Sequence, residues 1–439
     1  MPNVHFISLG CPRNLVDSEV MLGRLAEAGY AVAADPADAD VIVVNTCGFV
    51  ADAVDESVDT ILEASVFKEE GRCKRLVVCG CLAQRFGKDL ADSFPEVDAL
   101  VSVGAAHRIV EAVNATRRLV LLGEPDASPL VRADEPRLCT TGVTAWVKIA
   151  EGCPGGCTFC LIPRLRGPLR SRDPEDVAAE AVNLHAMGAR EIVLVAQDTT
   201  AFGMDRPDGE DLAGLVRRVA RAVPGAWVRF LYGHPLRVTD RLLETVNELE
   251  NVCAYFDVPV QHASDRVLKR MGRRQGKADL LALFSRIRKA VPGAVLRTTL
   301  LTGFPGETDE DFDELLRFVE QVRFENLGVF AYSDADEFPS HYLPGHVPQE
   351  LAQERADRLM EVQAGISLDI LAGLVGKELD VLILGKTGDP DAAFLGRTRF
   401  QAPGIDGETR VAGKSLCPGE VVRARVRATG TYDLVAETE

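Results

Sequence analysis

The sequence lacks any run of about 18 uninterrupted apolar residues, the length a membrane span requires. Its opening, Met1-Pro2-Asn3-Val4-His5, lacks a basic segment leading into an apolar stretch. These absences argue against a membrane or secreted protein, and a cytoplasmic one with no membrane partner is expected. Positive charge is in short supply: 49 Lys and Arg stand against 66 Asp and Glu, a formal net charge of −17. The chain therefore has no overall electrostatic footprint for nucleic-acid phosphates, and basic partners are favoured. Internal repeats and low-complexity segments are also missing. With 46% hydrophobic and 26% charged residues, disordered and fibrous chains are set aside. Eleven cysteines, an odd number in a chain with no secretory signal, point to metal or redox chemistry rather than a disulfide framework.

At 439 residues, and at roughly 100 to 200 residues per domain, the chain has room for several domains. Apolar strands at Val4 to Leu9, Val41 to Val44 and Leu76 to Cys79 alternate with helical patterns, an α/β rhythm. Val16, Val20 and Leu25 recur at helical spacing and close at Gly29. This N-terminal parallel α/β domain is expected over 1–119, with the polar, proline-bearing 120–138 as a linker. A second α/β series, 139–370, offers six strands: Val143 to Ala150, Glu191 to Ala196, Trp227 to Tyr232, Cys253 to Val260, Ala294 to Leu301 and Leu327 to Tyr332. Six units predict a partial, TIM-like (β/α)6 barrel, since closure needs eight, with active residues at the C-terminal strand ends. A charged helix from Gln349 to about Leu371 precedes glycine-separated strand pieces over 371–439, read as a small all-β, OB-like barrel appendage.

Two cysteine constellations carry chemistry. Cys153, Cys157 and Cys160 form a C-x3-C-x2-C run directly after the first barrel strand, and Gly155 and Gly156 let the backbone wrap a small metal group. A closed structural zinc site wants four ligands, and no fourth Cys or His lies nearby in sequence. On a cubane iron-sulfur cluster, three thiolates leave one iron open to a substrate or cofactor. The second constellation is dispersed. Cys11, Cys47 and Cys81 each end an N-terminal strand beside a glycine, and parallel strands share one C-terminal edge, where these thiols should converge. The alternative is three buried cysteines acting as small apolar residues. Cys73, Cys79, Cys139, Cys253 and Cys417 lack such context.

The two triads, in this order, resemble the radical S-adenosylmethionine methylthiotransferase family: Cys153, Cys157 and Cys160 look like its radical signature, and Cys11, Cys47 and Cys81 like its auxiliary-cluster ligands. The domain order is similar as well, ending in a TRAM domain. Ser8 to Glu19, Gln197-Asp198-Thr199 and Val260 to Ser264 resemble the ribosomal-protein-modifying branch more than the tRNA-modifying one, although Pro154-Gly155-Gly156 and Asp334 to His341 depart from the usual pattern. The resemblance implies two 4Fe-4S clusters and S-adenosyl-L-methionine as cofactors, with Cys153, Cys157 and Cys160 in the catalytic role. It implies a 5′-deoxyadenosyl radical that takes hydrogen from the β-carbon of an aspartate in small-subunit ribosomal protein S twelve. Sulfur would come from the auxiliary cluster, methyl from a second S-adenosylmethionine, and electrons from a donor such as flavodoxin or ferredoxin.

Within that frame Gln197 and Asp198 could hold the amino group or ribose of S-adenosylmethionine. Gly303 and Gly306 could approach its adenosyl portion through exposed backbone, and they could equally shape a strand-to-helix turn, the two readings being compatible. Arg297, the lone charge in its strand, faces either a carboxylate in the pocket or an ion-pair partner. His262 reads as a hydrogen-bonded loop residue rather than a metal ligand, with substrate contact left open. From Gly376 to Glu439 nine basic and ten acidic residues, with few aromatics, give a TRAM domain of net charge −1. A basic ribosomal protein fits this better than tRNA, although Arg423, Arg425 and Arg427 could line one strand face. The rivals are a tRNA adenosine methylthiotransferase and, in another class, a non-catalytic iron-sulfur carrier or scaffold.

Overall fold

A computed structural model describes residues 1–207, 209–388 and 393–438. Asp389, Asp391 and Glu439, three of the C-terminal acidic residues in the charge balance, lie outside the described residues. The N-terminal domain is a six-stranded parallel sheet: β1 (Asn3–Ser8), β2 (Ala31–Val32), β3 (Val41–Thr46), β4 (Arg75–Gly80), β5 (Ala99–Ser102) and β6 (Leu119–Leu121). Their order is β2-β1-β3-β4-β5-β6, so the three strands read from sequence are adjacent. β3 and β4 are buried at every position, which is why they read as unbroken apolar runs rather than alternating ones. The helix Pro12–Glu27 starts with proline in its first turn and buries Val16, Val20 and Leu25; Gly29 follows at φ +91°. β6 pairs with β5 through Leu119 and Ala99, carrying the sheet past the boundary expected at residue 119.

All six barrel strands are present. β7 (Thr144–Lys148), the short β8 (Ala150–Glu151) and β9 (Arg170–Ser171) are followed by β10 (Glu191–Val195), β11 (Trp227–Phe230), β12 (Tyr255–Asp257), β13 (Val295–Thr302) and β14 (Asn326–Ala331). β11-β10-β7 and β12-β13-β14 are parallel sheets joined by the single bridge Val228 to Val252, giving an open, curled six-stranded wall. β8 and β9 pair antiparallel, fastening the segment after the cysteine loop to the end of the first barrel strand. Phe284 and Phe318 of the outer helices and Phe324 of the loop before β14 share one buried core with Ile192, Leu194, Leu296 and Leu300. No helix among the described residues is long and apolar enough to cross a membrane.

The C-terminal strands β15 (Glu378–Lys386), β16 (Phe394–Thr398), β17 (Thr409–Ala412), β18 (Val421–Thr429) and β19 (Leu434–Glu437) close into a barrel of order β15-β16-β17-β19-β18. This barrel is more than an appendage, because it plugs the N-terminal end of the larger one. Leu382, Phe400 and Ala402 share an apolar cluster with Trp146, Trp227 and Tyr255. Glu191, fully buried, pairs with Arg229 at 2.9 Å and with Arg397 of β16. Arg297 takes the ion-pair reading, with Asp257 at 3.1 Å and Asp406 at 3.5 Å, and Tyr255 Oη donates to Asp406 at 2.6 Å. The arginines Arg423, Arg425 and Arg427 each meet a neighbouring carboxylate, from Asp380, Glu378 and Glu437.

Candidate cluster and cofactor sites

The loop carrying Cys153, Cys157 and Cys160 is shaped by close backbone packing. Gly152 sits at φ +74°, and a Cβ there would overlap the carbonyl of Pro168, so only glycine lets the chain turn into the loop. Cys153 N donates to Gly167 O, while Thr158 bonds through N to Met271 O and through Oγ1 to Arg270 O. Two N–H···S bonds point inward: Gly155 N to Cys153 Sγ at 3.3 Å and Ile162 N to Cys160 Sγ at 3.4 Å. Such bonds stabilise sulfur that carries thiolate charge. Burial pushes the Cys153 thiol up and the Cys160 thiol up to about 12.

The cysteines of the second constellation follow neighbouring strands. Cys11 precedes the helix Pro12–Glu27, Cys47 follows β3, and Cys81 opens the helix Cys81–Ser93. β1, β3 and β4 are neighbours, so their C-terminal ends share one edge. Glycines keep that edge hollow. A Cβ on Gly10 would lie 2.9 Å from Cys47 Cβ, one on Gly48 2.8 Å from Leu82 Cα, and one on Gly80, at φ +99°, would overlap Asn45 Oδ1. Burial raises Cys47 and Cys81. At Cys11 burial is outweighed by the charges of Arg13 and Arg166, and its thiol is held below the ordinary value. Cys79, fully enclosed, is pushed well up and belongs to the sheet core.

Among the described residues no group of three or more His, Cys, Asp or Glu is set to hold a single ion. The fit to a larger group therefore rests on the donor set, three soft thiols per site, and on the glycine-lined cradles.

A buried ionic network lies between the triads. Lys148 Nζ pairs with Asp17 and with Glu151 at 2.7 Å, and Arg166 Nη1 pairs with Asp17 at 2.7 Å. Gln197 Nε2 donates to Glu151 Oε1 at 2.7 Å, leaving Gln197 Oε1 buried without a partner. Asp198 accepts from Thr200 Oγ1 and from Arg237 Nη1, both at 2.6 Å; burial nonetheless raises its carboxyl. Both residues follow the C-terminal end of β10.

Gly303 and Gly306 are placed differently. Gly303 N donates to Glu307 Oε2 and Gly306 N to Gly345 O, and a Cβ on Gly303 would overlap Ala352. Their amides are engaged within the protein, and Thr308 caps the following helix Asp309–Val322 in a box with Asp311. His262 is a fully buried loop residue whose Nδ1 accepts from Ser264 N, out of reach of an incoming chain.

Sequence reasoning missed three residues at the mouth. Tyr232 and Gln261 lie in the segments after β11 and β12 at φ +66° and +74°, strained for non-glycine residues. Arg13 reaches across from the N-terminal domain, donating to Ala196 O at 2.9 Å with its guanidinium 4.7 Å above the Tyr232 ring. Its position beside Cys11 was the only available signal, since its partners lie some 180 to 220 residues away by the order of the chain.

Residues 3–102 match the Uncharacterized protein family UPF0004, 147–319 the Radical SAM superfamily and 375–438 the TRAM domain. A protein of Desulfosudis oleivorans named ribosomal protein uS12 methylthiotransferase RimO is 51% identical over 440 residues, covering 99% of this chain and 100% of that one. One of the same name from Syntrophotalea carbinolica is 43% identical, covering 99% and 96%. Among solved structures, the radical S-adenosylmethionine methyltransferase TsrM of Kitasatospora setae is similar in fold, with a TM-score of 0.57 at 15% identity over 83% of this chain and 89% of that one.

Proposed function

The chain belongs to the RimO family of ribosomal protein uS12 methylthiotransferases, and from that premise we propose that it places a methylthio group on the β-carbon of an aspartate in small-subunit ribosomal protein S twelve. In this reading Cys153, Cys157 and Cys160 hold one 4Fe-4S cluster and Cys11, Cys47 and Cys81 the other. When bound, these groups supply reductive cleavage of S-adenosylmethionine and the sulfur to be transferred. The protein's own part is to hold, orient and enclose. Gln197 Oε1, a buried acceptor with no partner, suits the ammonium of S-adenosylmethionine. Asp198, fixed by Thr200 and Arg237, is placed for a donor group such as a ribose hydroxyl. The C-terminal barrel seals the far end of the radical barrel against water.

One observation supports the reading: Cys11, Cys47 and Cys81 follow three neighbouring strands beside glycines with no room for a Cβ, and Arg166, six residues after Cys160, donates to Cys81 Sγ. The choice of a basic protein substrate rests on the −17 net charge, and the pairing of Arg423, Arg425 and Arg427 with carboxylates supports it by offsetting their charge. A flavodoxin or ferredoxin serves as electron donor, and the work is done in the cytoplasm. The test is anaerobic reconstitution with iron and sulfide, followed by incubation with S-adenosylmethionine, dithionite and a peptide carrying the target aspartate. A methylthio mass increase on that aspartate is expected. Intact S-adenosylmethionine with fully loaded protein would instead indicate a carrier.

A further inference from the structure

Arg166 ties the two triads together. It closes the short helix Ile162–Arg166, whose first N–H donates to Cys160 Sγ at 3.4 Å, a thiol of the first triad. Its own Nη2 donates to Cys81 Sγ at 3.1 Å, a thiol of the second. One short segment therefore touches sulfur of both sites. The guanidinium is only 2% exposed and is fixed on three further sides: Asp17 at 2.7 Å, Asn14 Oδ1 at 3.2 Å and Glu151 at 3.6 Å. Asp17 and Glu151 are in turn countered by Lys148, so the local charges of the network balance and Arg166 cannot swing away without stranding a buried carboxylate. Gly167 follows at φ +77°, the left-handed turn that ends the segment and lets its carbonyl accept from Cys153 N.

A cluster held by three thiolates is anionic, and each electron added makes it more so. A guanidinium donating to one of its sulfurs in a water-poor site favours the reduced form over the oxidised one. We propose that Arg166 is a positioning residue that raises the reduction potential of the group held by Cys11, Cys47 and Cys81 and keeps it in register with the Cys153 to Cys160 loop. This rests on the reading that the second triad binds a cluster.

The test uses the full chain carrying Cys153→Ala, Cys157→Ala and Cys160→Ala, so that only the second site can load. After anaerobic reconstitution the protein is titrated with dithionite, one electron per cluster, and followed by electron paramagnetic resonance. In that background Arg166→Met and Arg166→Gln are expected to lower the midpoint potential and shift the spectrum, with Arg166→Lys restoring part of the shift through its charge. An unchanged midpoint in loaded Arg166→Met overturns the proposal. Should Arg166→Met take up no iron, Arg166→Gln and Arg166→Lys decide by the same criterion. If the parent with an intact Arg166 takes up no iron, the cluster reading fails before Arg166 is touched, a result distinct from failure of the Arg166 role.

Discussion

Glu191→Gln should loosen the seal between the radical barrel and the C-terminal barrel. The Glu191 carboxylate is fully buried and accepts from Arg229 at 2.9 Å, from Arg397 and from Thr144 at 3.3 Å. Glutamine keeps the shape and removes the charge, leaving two buried guanidiniums without their counter-ion. Breaking such a group from one side costs about 3–5 kcal/mol. At a urea dependence of about 1–3 kcal/mol per molar, even the lower figure moves the midpoint by about 1 M or more. The assay is built in, because both tryptophans of the chain, Trp146 and Trp227, lie in the interface cluster and their fluorescence reports its opening. Glu191→Gln combined with Arg397→Gln should recover part of the loss, since the penalty lies in the stranded cation. The pH dependence has a definite sign. Burial pushes Glu191 up, but Arg397 and Arg229 outweigh it and hold the carboxyl below its ordinary value. Its contribution is thus present above the unfolded-state value and lost only as pH falls through the lower, folded one. An unchanged urea midpoint for Glu191→Gln, with Trp fluorescence as in the parent, would refute the reasoning.

Gly80→Ala should cost the iron of the second triad and spare that of the first, because its Cβ would overlap Asn45 Oδ1 at φ +99°. Gly152→Ala, whose Cβ would overlap Pro168 O, should do the reverse; iron and sulfide analysis of reconstituted protein checks both. Asp311→Ala removes the carboxylate that accepts from Ser264 Oγ, Thr308 N and Arg266, and should destabilise by about 1–2 kcal/mol in urea unfolding at neutral pH. Burial pushes the Asp311 carboxyl up, but those hydrogen bonds hold it down at about 2. The difference between parent and variant should therefore be full above the unfolded-state carboxyl value, shrink as pH falls below it and be gone beneath the folded one, which unfolding series across acid pH will show.

Cys153, Cys157 and Cys160 drew attention by local spacing, whereas Cys11, Cys47 and Cys81 did so because each follows a strand, and strand ends in parallel α/β folds meet at one edge. The barrel strands were legible as apolar runs of ordinary length. β12 shrank to Tyr255–Asp257 within its predicted span, where Pro259 cannot donate to a ladder. β2 and β6, two and three residues long, carry too little pattern to be seen. What stayed hidden was contact between distant segments. Arg166 meets Cys81 across 85 positions, and Arg397 meets Glu191 across 206. Nothing local in sequence marks such pairs. The amide bonds of Gly303 and Gly306 to Glu307 and Gly345 were equally hidden, since the Gly345 partner is brought there only by the fold.

The most direct measurement of the central claim is the mass of every ribosomal protein, with tRNA nucleosides in parallel, from cells with and without this gene. Loss of one methylthio group from small-subunit protein S twelve alone is the expected result. Loss from a tRNA adenosine, with the ribosomal proteins unchanged, would contradict it.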